Sequence, residues 1–531
     1  MPWRQWADSG RASWQLGRLA WELPHYLREP IDGTYATTAL RQRLAQREVR
    51  FVDALRRQVA ARSAGPLARL LTWAGWTIAD IEAAVRQDGL EVTLGRLRDD
   101  GVFFTHAELT GAEPLRRPGL ELPLRASDFD NATRSTARLG GSTSGSRSHG
   151  IRVFYSWDFL AEEAANELLL FCAHGLESAP LAYWMPGVPA LSGIHNLLFD
   201  LKSSRAPRRW FAQVDAVAAG PPASTRAATG AVLRGAFGYV LWRCRQSVPW
   251  TAGPEPTPLA AADRVAAWLV ATVRDHGRAV LKCYASAAVR VAAAAQGAGM
   301  DLSGSVVFTG GEPLTAARRR FIEASGARVF PRYVTTEMGL MAGACPLQRD
   351  GDAMHVYLDR LAAVPAADGE GLLFTSISPH GGKVLLNADL GDAGVLQHRS
   401  CTCSLGYLGL HLFVSQVRSD AKLAGEGVKM MASEMDALIA PLIEAVGGGP
   451  DDYQFWEEAD DAGRTRLMIA IDPSITRLDE PAFVRALIAA LKRQPLRGNL
   501  TGQLWEQGDT LHVVRQRPTL SRGHKQLVLR R

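Results

Sequence analysis

From about residue 38 to residue 100, apolar side chains return at three- and four-residue spacing, as in TTALRQRLAQREVRFVDALRRQVAARS, which predicts helices. The next stretch, VFFTHAELTG, reads as a strand or an extended lead-in, and a Gly/Ser/Thr-rich loop at 140–150 follows the polar run DFDNATRSTA. From about residue 160, helical runs (DFLAEEAANELLLFCAHG, ADRVAAWLVATVRDHG) alternate with short apolar strands (SVVFTGG, ARVFPRYV), a texture that predicts a layered α/β domain. Residues 350–415 carry short alternating runs rich in Gly, Val and Leu and predict an antiparallel β unit. Beyond Asp420 a smaller α+β pattern begins: helix SEMDALIAPLIEAV, strand RLMIAIDPS, helix PAFVRALIAALKR and strand LHVVRQR. The expected organisation is a helical N-terminal extension over 1–105, a large α/β domain with a β subdomain over 106–420, and a small α+β domain over 421–531. No internal repeat is apparent.

Composition narrows the class. A 531-residue chain that is 47% hydrophobic and 21% charged can bury more than one core and is not of a disordered type. The longest apolar run, Val265 to Val273, is broken by Ala and Trp and soon meets Arg274 and Asp275, so no membrane span is expected. The opening MPWRQWADSGRAS lacks the apolar stretch of a secretory signal, and six cysteines make no disulfide framework; a cytoplasmic setting is the expectation. The net charge of +6 suits a phosphorylated small molecule, a nucleic acid or a membrane surface equally, and so does a plain preference for Arg. No basic run interleaved with aromatics points to nucleic acid, and none is expected as a partner.

Four segments carry candidate chemistry. In LGGSTSGSRSHG (139–150), small residues let backbone amides and hydroxyls approach a polyphosphate, although such a run also serves as a linker. In VVFTGGEPLTAARRRFIEASGARVFPRYVTTEMG (306–339), one strand ends in Gly310-Gly311-Glu312-Pro313 and the next in Tyr333-Val334-Thr335-Thr336-Glu337. Both turns fall at strand C-terminal ends, where open α/β sheets bind ligands, and Glu337 is a candidate oxygen ligand for Mg²⁺ or a solvated loop carboxylate. The third segment is VRSDAKLAGEGVKMMASEMDALI (417–439), and the fourth is the tail PTLSRGHKQLVLRR with Lys525.

In this order and spacing the four segments resemble the acyl-adenylate-forming superfamily of acyl-CoA synthetases, peptide-synthetase adenylation domains and luciferases, and more narrowly its phenylacetate–CoA ligase branch. VFFTHAEL looks like that branch's lead-in to the phosphate loop; STSG stands for its Gly-Thr-Thr-Gly, GGEP for Gly-Ala-Glu-Pro, and YVTTE for Tyr-Gly-x-Ser/Thr-Glu. ADLGD contains the expected Asp389, and VRSDAKLAGEGVKMMASEMD is similar to the Gly-Arg-Ser-Asp hinge segment. The likeness spans roughly residues 45 to 531. It departs where the phosphate loop continues Ser146-Arg147 rather than Lys-Pro, where Ser142 replaces the first Gly, and where the Asp389 region lacks the Tyr-Arg-Thr lead.

The resemblance implies roles. Ser142, Thr143, Ser144 and Gly145 would hold the β- and γ-phosphates of ATP. Gly310, Gly311, Glu312 and Tyr333 would frame adenine, with Thr336 by the α-phosphate and Glu337 on Mg²⁺. Asp389 and Arg418 would take the ribose hydroxyls, Asp420 would be the hinge of a mobile C-terminal domain, and Lys525 would bridge carboxylate and α-phosphate. Relatives in that branch carry a Cys/His, Cys-x-Cys set after the glutamate motif; Cys345, His355, Cys401 and Cys403 match it and suit a structural Zn²⁺, with His398 a competing ligand. The alternative is buried free thiols.

The implied activity is ATP-dependent activation of a small carboxylic acid, aryl or alkyl, followed by acyl transfer to a thiol of CoA or a carrier protein. An amide synthetase with a nitrogen acceptor, and a nucleotide-binding pseudoenzyme, are the alternatives. Tyr155, Trp157 and Phe308 are candidates for the acid pocket, although aromatic residues equally make core.

Overall fold

The computed structural model describes residues 21–132, 139–142, 152–187, 191–214, 235, 238–248, 253–348, 351–367, 369, 371–419, 422–460, 463–494 and 496–519. A twelve-stranded mixed sheet dominates. Its parallel half runs Arg328–Thr335, Ser305–Thr309, Ala279–Cys283, Leu181–Met185, Arg209–Ala212 and Pro254–Pro256. Its antiparallel half runs from the other side of Arg328–Thr335 through Gly339–Gly343, Met354–Val356, Leu412–Ser419, Ala388–His398, Gly371–Ser376 and Leu361–Pro365. The strand carrying Tyr333 is therefore where parallel pairing gives way to antiparallel, with a register shift between Tyr333 and Val334.

Strand alternation sends successive side chains to two cores. Ala182, Leu281, Val307 and Val329 join one cluster with residues of the Ala262–His276, Ala285–Gly297 and Ala316–Glu323 helices. Tyr183, Phe308 and Phe330 join the other, with the Trp157–Ala173 helix and the N-terminal helices. Those strands read as continuous apolar runs because both faces are covered.

The predicted helices are present over Gly33–Ala45, Arg47–Ala61, Pro66–Trp73, Ile78–Asp88 and Leu90–Asp99. The segment expected as a strand or an extended lead-in, VFFTHAELTG, is extended up to Thr105, with Phe104 in an isolated parallel bridge to Ala388, and then turns into a short helix at His106–Thr110. Thr105 and Glu108 close a reciprocal capping box there, which starts the helix at His106. Beyond residue 421, a hairpin (Lys422–Gly425, Val428–Met431), a three-stranded sheet (Tyr453–Ala459, Thr465–Ile471, Leu511–Arg515) and the helices Ala432–Glu444, Glu480–Arg493 and Leu496–Gly508 enclose a separate apolar cluster. The fold is mixed α/β, as expected. Among the described residues no helix is long and apolar enough to cross a membrane.

Candidate active site

Ala279–Cys283, Ser305–Thr309 and Arg328–Thr335 run parallel, with Cys283 opposite Thr309 and Thr309 opposite Pro331. The first two end together, and the third runs on past them to Thr335. This edge is where ligands meet open α/β sheets.

Gly310 donates its N–H to the Cys283 carbonyl at 3.3 Å. The buried Glu312 accepts from Ser286 N–H at 2.7 Å and from Gly427 N–H at 2.6 Å, so its carboxylate is committed to backbone amides. Gly427 has φ +77°, and a Cβ there would lie 1.9 Å from the Tyr284 ring; only glycine lets this turn close on Tyr284. Beside it Glu426 is buried and paired with Arg290 at 2.6 Å, and the Trp505 indole N–H donates to the Gly425 carbonyl at 2.9 Å. The 425–427 turn is thus tied to the strand-edge loop through Glu312, to the Ala285–Gly297 helix through Arg290 and to the Leu496–Gly508 helix through Trp505.

Tyr333 is buried, and its hydroxyl donates to Asp392 Oδ2 at 2.7 Å. Burial first, and the Asp392 carboxylate second, hold the phenol well above its ordinary range, so it stays a donor. Asp389, in the same strand, caps the Gly391 N–H at 2.6 Å and is partly exposed. Arg418 is exposed on the neighbouring strand, opposite Ala393. Of the two carboxylates in ADLGD, Asp392 is the one against Tyr333; it was not singled out from the sequence, although it stands in the same motif.

The Thr336 carbonyl accepts from the Tyr155 hydroxyl at 2.5 Å. Glu337 is only 6% exposed, and among the described residues no cation or donor is paired with its carboxylate. An unpaired carboxylate so placed suits a hard cation.

The pocket candidates separate. Tyr155 sits under the Thr336 turn, whereas Trp157 stacks on Tyr26 at 4.5 Å and donates to Glu22, facing the N-terminal helices. Phe308 packs against Phe171 at 4.8 Å and His174 at 5.0 Å as core. Ser142 ends the Leu139–Ser142 strand opposite Arg152. Thr143, Ser144, Gly145, Asp420 and Lys525 lie outside the described residues.

Away from this edge, one ligand atom each from Cys345, His355, Cys401 and Cys403 lies within 4.8 Å of the others. Cys345 Sγ is 3.8 Å from Cys401 Sγ, and Cys403 Sγ is 3.2 Å from His355 Nε2. Tetrahedral zinc with Zn–S of about 2.3 Å separates its sulfurs by a little under 4 Å, so the donor set fits. His355 Nδ1 is 2.7 Å from the Leu410 carbonyl, which leaves Nε2 turned to the thiols. Hydrogen bonding from Cys403, and then from His355, draws the Cys345 thiol below its usual range against the effect of burial. His398 is exposed and outside this group.

No family model and no curated protein matches the chain. Solved structures do. A 2-hydroxyisobutyryl-CoA ligase, bound to 2-HIB-AMP and CoA in the thioesterification state, aligns over 94% of this chain and 91% of its own, with a TM-score of 0.54 and 14% identity. The chain has the fold of this ligase. An amide bond synthetase, McbA from Marinactinospora thermotolerans, aligns over 91% of this chain and 98% of its own with a TM-score of 0.39 and 12% identity. The charged groups around Glu163 (His195 and Arg360) and Glu167 (Lys282 and Arg332), on the Trp157–Ala173 helix, were not legible as site or core from the sequence.

Proposed function

We propose that the protein is an ATP-dependent, AMP-forming ligase that activates a small carboxylic acid and passes the acyl group to a thiol. One observation carries this: the Tyr333–Asp392 pair, the Thr336 turn and the unpaired Glu337 carboxylate meet at the edge where parallel strands end. In the first step a carboxylate oxygen of the acid attacks the α-phosphorus of ATP, forming acyl-AMP and releasing pyrophosphate. In the second, the acceptor sulfur attacks the acyl carbon and AMP departs.

Tyr333 and Gly310-Gly311 would flank adenine, and Asp392 or Asp389, with Arg418, would take the ribose hydroxyls. Ser142 to Gly145 would receive the β- and γ-phosphates. Glu337 fits Mg²⁺, which when bound would offset the charge of the phosphates. Lys525 would place an ammonium between the two anionic reactants, an interaction strongest in the transition state. Asp420 would be the hinge between a large domain (106–420) and a small mobile one (421–531), and 1–105 would pack on the former. Cys345, His355, Cys401 and Cys403 would hold one structural zinc, whose chemistry is to tie the 345 and 401–403 loops together.

CoA is the first acceptor to try, because the 2-hydroxyisobutyryl ligase with the same fold binds it. The test is pyrophosphate release with ATP, magnesium and a panel of aryl and alkyl acids, then addition of CoA, carrier protein or amines. Acid-dependent release followed by acceptor-dependent AMP is expected. ATP binding without acid-dependent release from any acid would mark a nucleotide-binding pseudoenzyme.

A further inference from the structure

The adenylation chemistry leaves Glu163 and His195 without a task. Glu163 is fully buried on the Trp157–Ala173 helix, and His195, on Leu191–Lys202, is 6% exposed. His195 Nε2 lies 2.7 Å from Glu163 Oε2. The other carboxylate oxygen accepts from Leu340 N–H at 2.5 Å and faces Arg360 Nη1 at 3.3 Å. Gly339 has φ +69°, and a Cβ there would lie 1.8 Å from Glu163 Oε1, so glycine is what lets this backbone close over the carboxylate. Burial opposes charge on Glu163, but His195, Arg360 and the Leu340 amide outweigh it and hold the carboxyl below its usual range.

The pair abuts the proposed reaction centre. The His195 ring stacks on Tyr155 at 4.6 Å and 19°, and the Tyr155 hydroxyl is bonded to Thr336. Phe199 meets the imidazole edge-on at 4.5 Å, fixing its plane. With Nε2 against Glu163, Nδ1 has no hydrogen-bond partner among the described residues. A carboxylate 2.7 Å behind an imidazole that is stacked on one face and flanked at its edge holds the ring in place, and a group so held is fit for proton transfer. The charged and titratable groups around it are Glu163, Arg360, Tyr155 and Tyr26, with Glu337 acting on Tyr155 and Arg332 reaching the adjacent Asn196.

We infer that His195 is the base for acyl transfer, taking the proton of the acceptor nucleophile at Nδ1, with Glu163 as its positioning residue. The inference rests on the adenylation proposed above. As the acceptor S–H or N–H gives its proton to Nδ1, its electron pair forms the bond to the acyl carbon. The acyl C–O bond to phosphate breaks, and AMP leaves with that electron pair. The imidazolium then returns the proton to solvent.

The test is single-turnover transfer from synthetic acyl-AMP to acceptor between pH 5.5 and 9, beside pyrophosphate release from acid and ATP. Wild-type transfer should rise with pH through one ionisation to a plateau. His195→Gln should lower the plateau about 100-fold and abolish that ionisation, with a much smaller fall in pyrophosphate release. Glu163→Gln removes the anion that favours imidazolium, so the ionisation should move to lower pH; thermal melts confirm that each variant is folded. An equal fall in both half-reactions, or a His195→Gln profile parallel to wild type, would overturn the inference. NMR titration of the imidazole gives a readout without turnover: an unchanged His195 titration in Glu163→Gln would also overturn it. Failure of wild type to release pyrophosphate with any acid would instead sink the adenylation reading, while the NMR result would still report on the pair.

Discussion

The Tyr333 hydroxyl donates to Asp392 at 2.7 Å, across the point where the parallel half of the sheet meets the antiparallel half. The resemblance in the sequence expects the ribose carboxylate at Asp389, which in the structure caps its own loop through Gly391. If the nucleotide lies against Tyr333, Asp392→Ala should raise the KM for ATP by about tenfold or more, the scale of a lost charged hydrogen bond of 1.5–3 kcal/mol. Asp389→Ala should cost less. The larger effect on Asp389 would move the ribose to the other carboxylate.

The four-ligand cluster predicts about one equivalent of zinc in purified protein by metal analysis. Cys403→Ser should lose most of the metal and lower the melting temperature, whereas His398→Ala should keep both. A metal-free wild type of equal stability would contradict the assignment.

Beneath the sheet, Lys282 is fully buried with Nζ 2.6 Å from both Glu167 and Asp200, and Arg332 adds a 2.7 Å contact to Glu167. Lys282→Met would take one cation from each of two buried carboxylates, leaving Arg332 on Glu167 and Arg205 on Asp200, and should destabilise the fold by about 3 kcal/mol in chemical denaturation. Burial works against charge on Glu167, and Arg332 and Lys282 more than overcome it, so its folded carboxyl is held well below the usual range. A depressed carboxyl contributes stability above its unfolded value of about 4.3 and loses it as pH falls further. Acid unfolding below that pH should therefore be shallower in Glu167→Gln than in wild type.

Lys525→Ala should slow adenylate formation by about 100-fold or more, the scale of one preorganised electrostatic donor, while transfer from synthetic acyl-AMP survives. An unaltered adenylation rate would remove Lys525 from the centre.

How much of this was legible follows from what each signal records. Apolar spacing marked the Trp157–Ala173 helix because twelve of its positions face protein, but the same pattern cannot say that Glu162, Glu163, Asn166 and Glu167 are among them. Their partners, Arg50, His195, Lys282, Arg332, Asp359 and Arg360, come from distant segments, and such pairing has no local period. The strand Tyr453–Ala459 and the helix Leu496–Gly508 were missed for a related reason. The strand ends in a Glu-Glu pair, and the helix contains Gly498 and Gly502, weak helix formers whose place is set by tertiary packing. Cys345, His355, Cys401 and Cys403 were legible as a set because thiol and imidazole chemistry is rare enough to be noticed across a gap of many residues.

The central claim is that a mixed anhydride of acid and AMP forms. The most direct measurement uses a carboxylic acid that supports pyrophosphate release, labelled with ¹⁸O in its carboxylate, turned over with ATP and acceptor. If the carboxylate oxygen bonds the α-phosphorus and leaves with it, mass spectrometry should find one ¹⁸O in each AMP released. Label in inorganic phosphate with ADP as the nucleotide product would show an acyl phosphate instead and contradict the account.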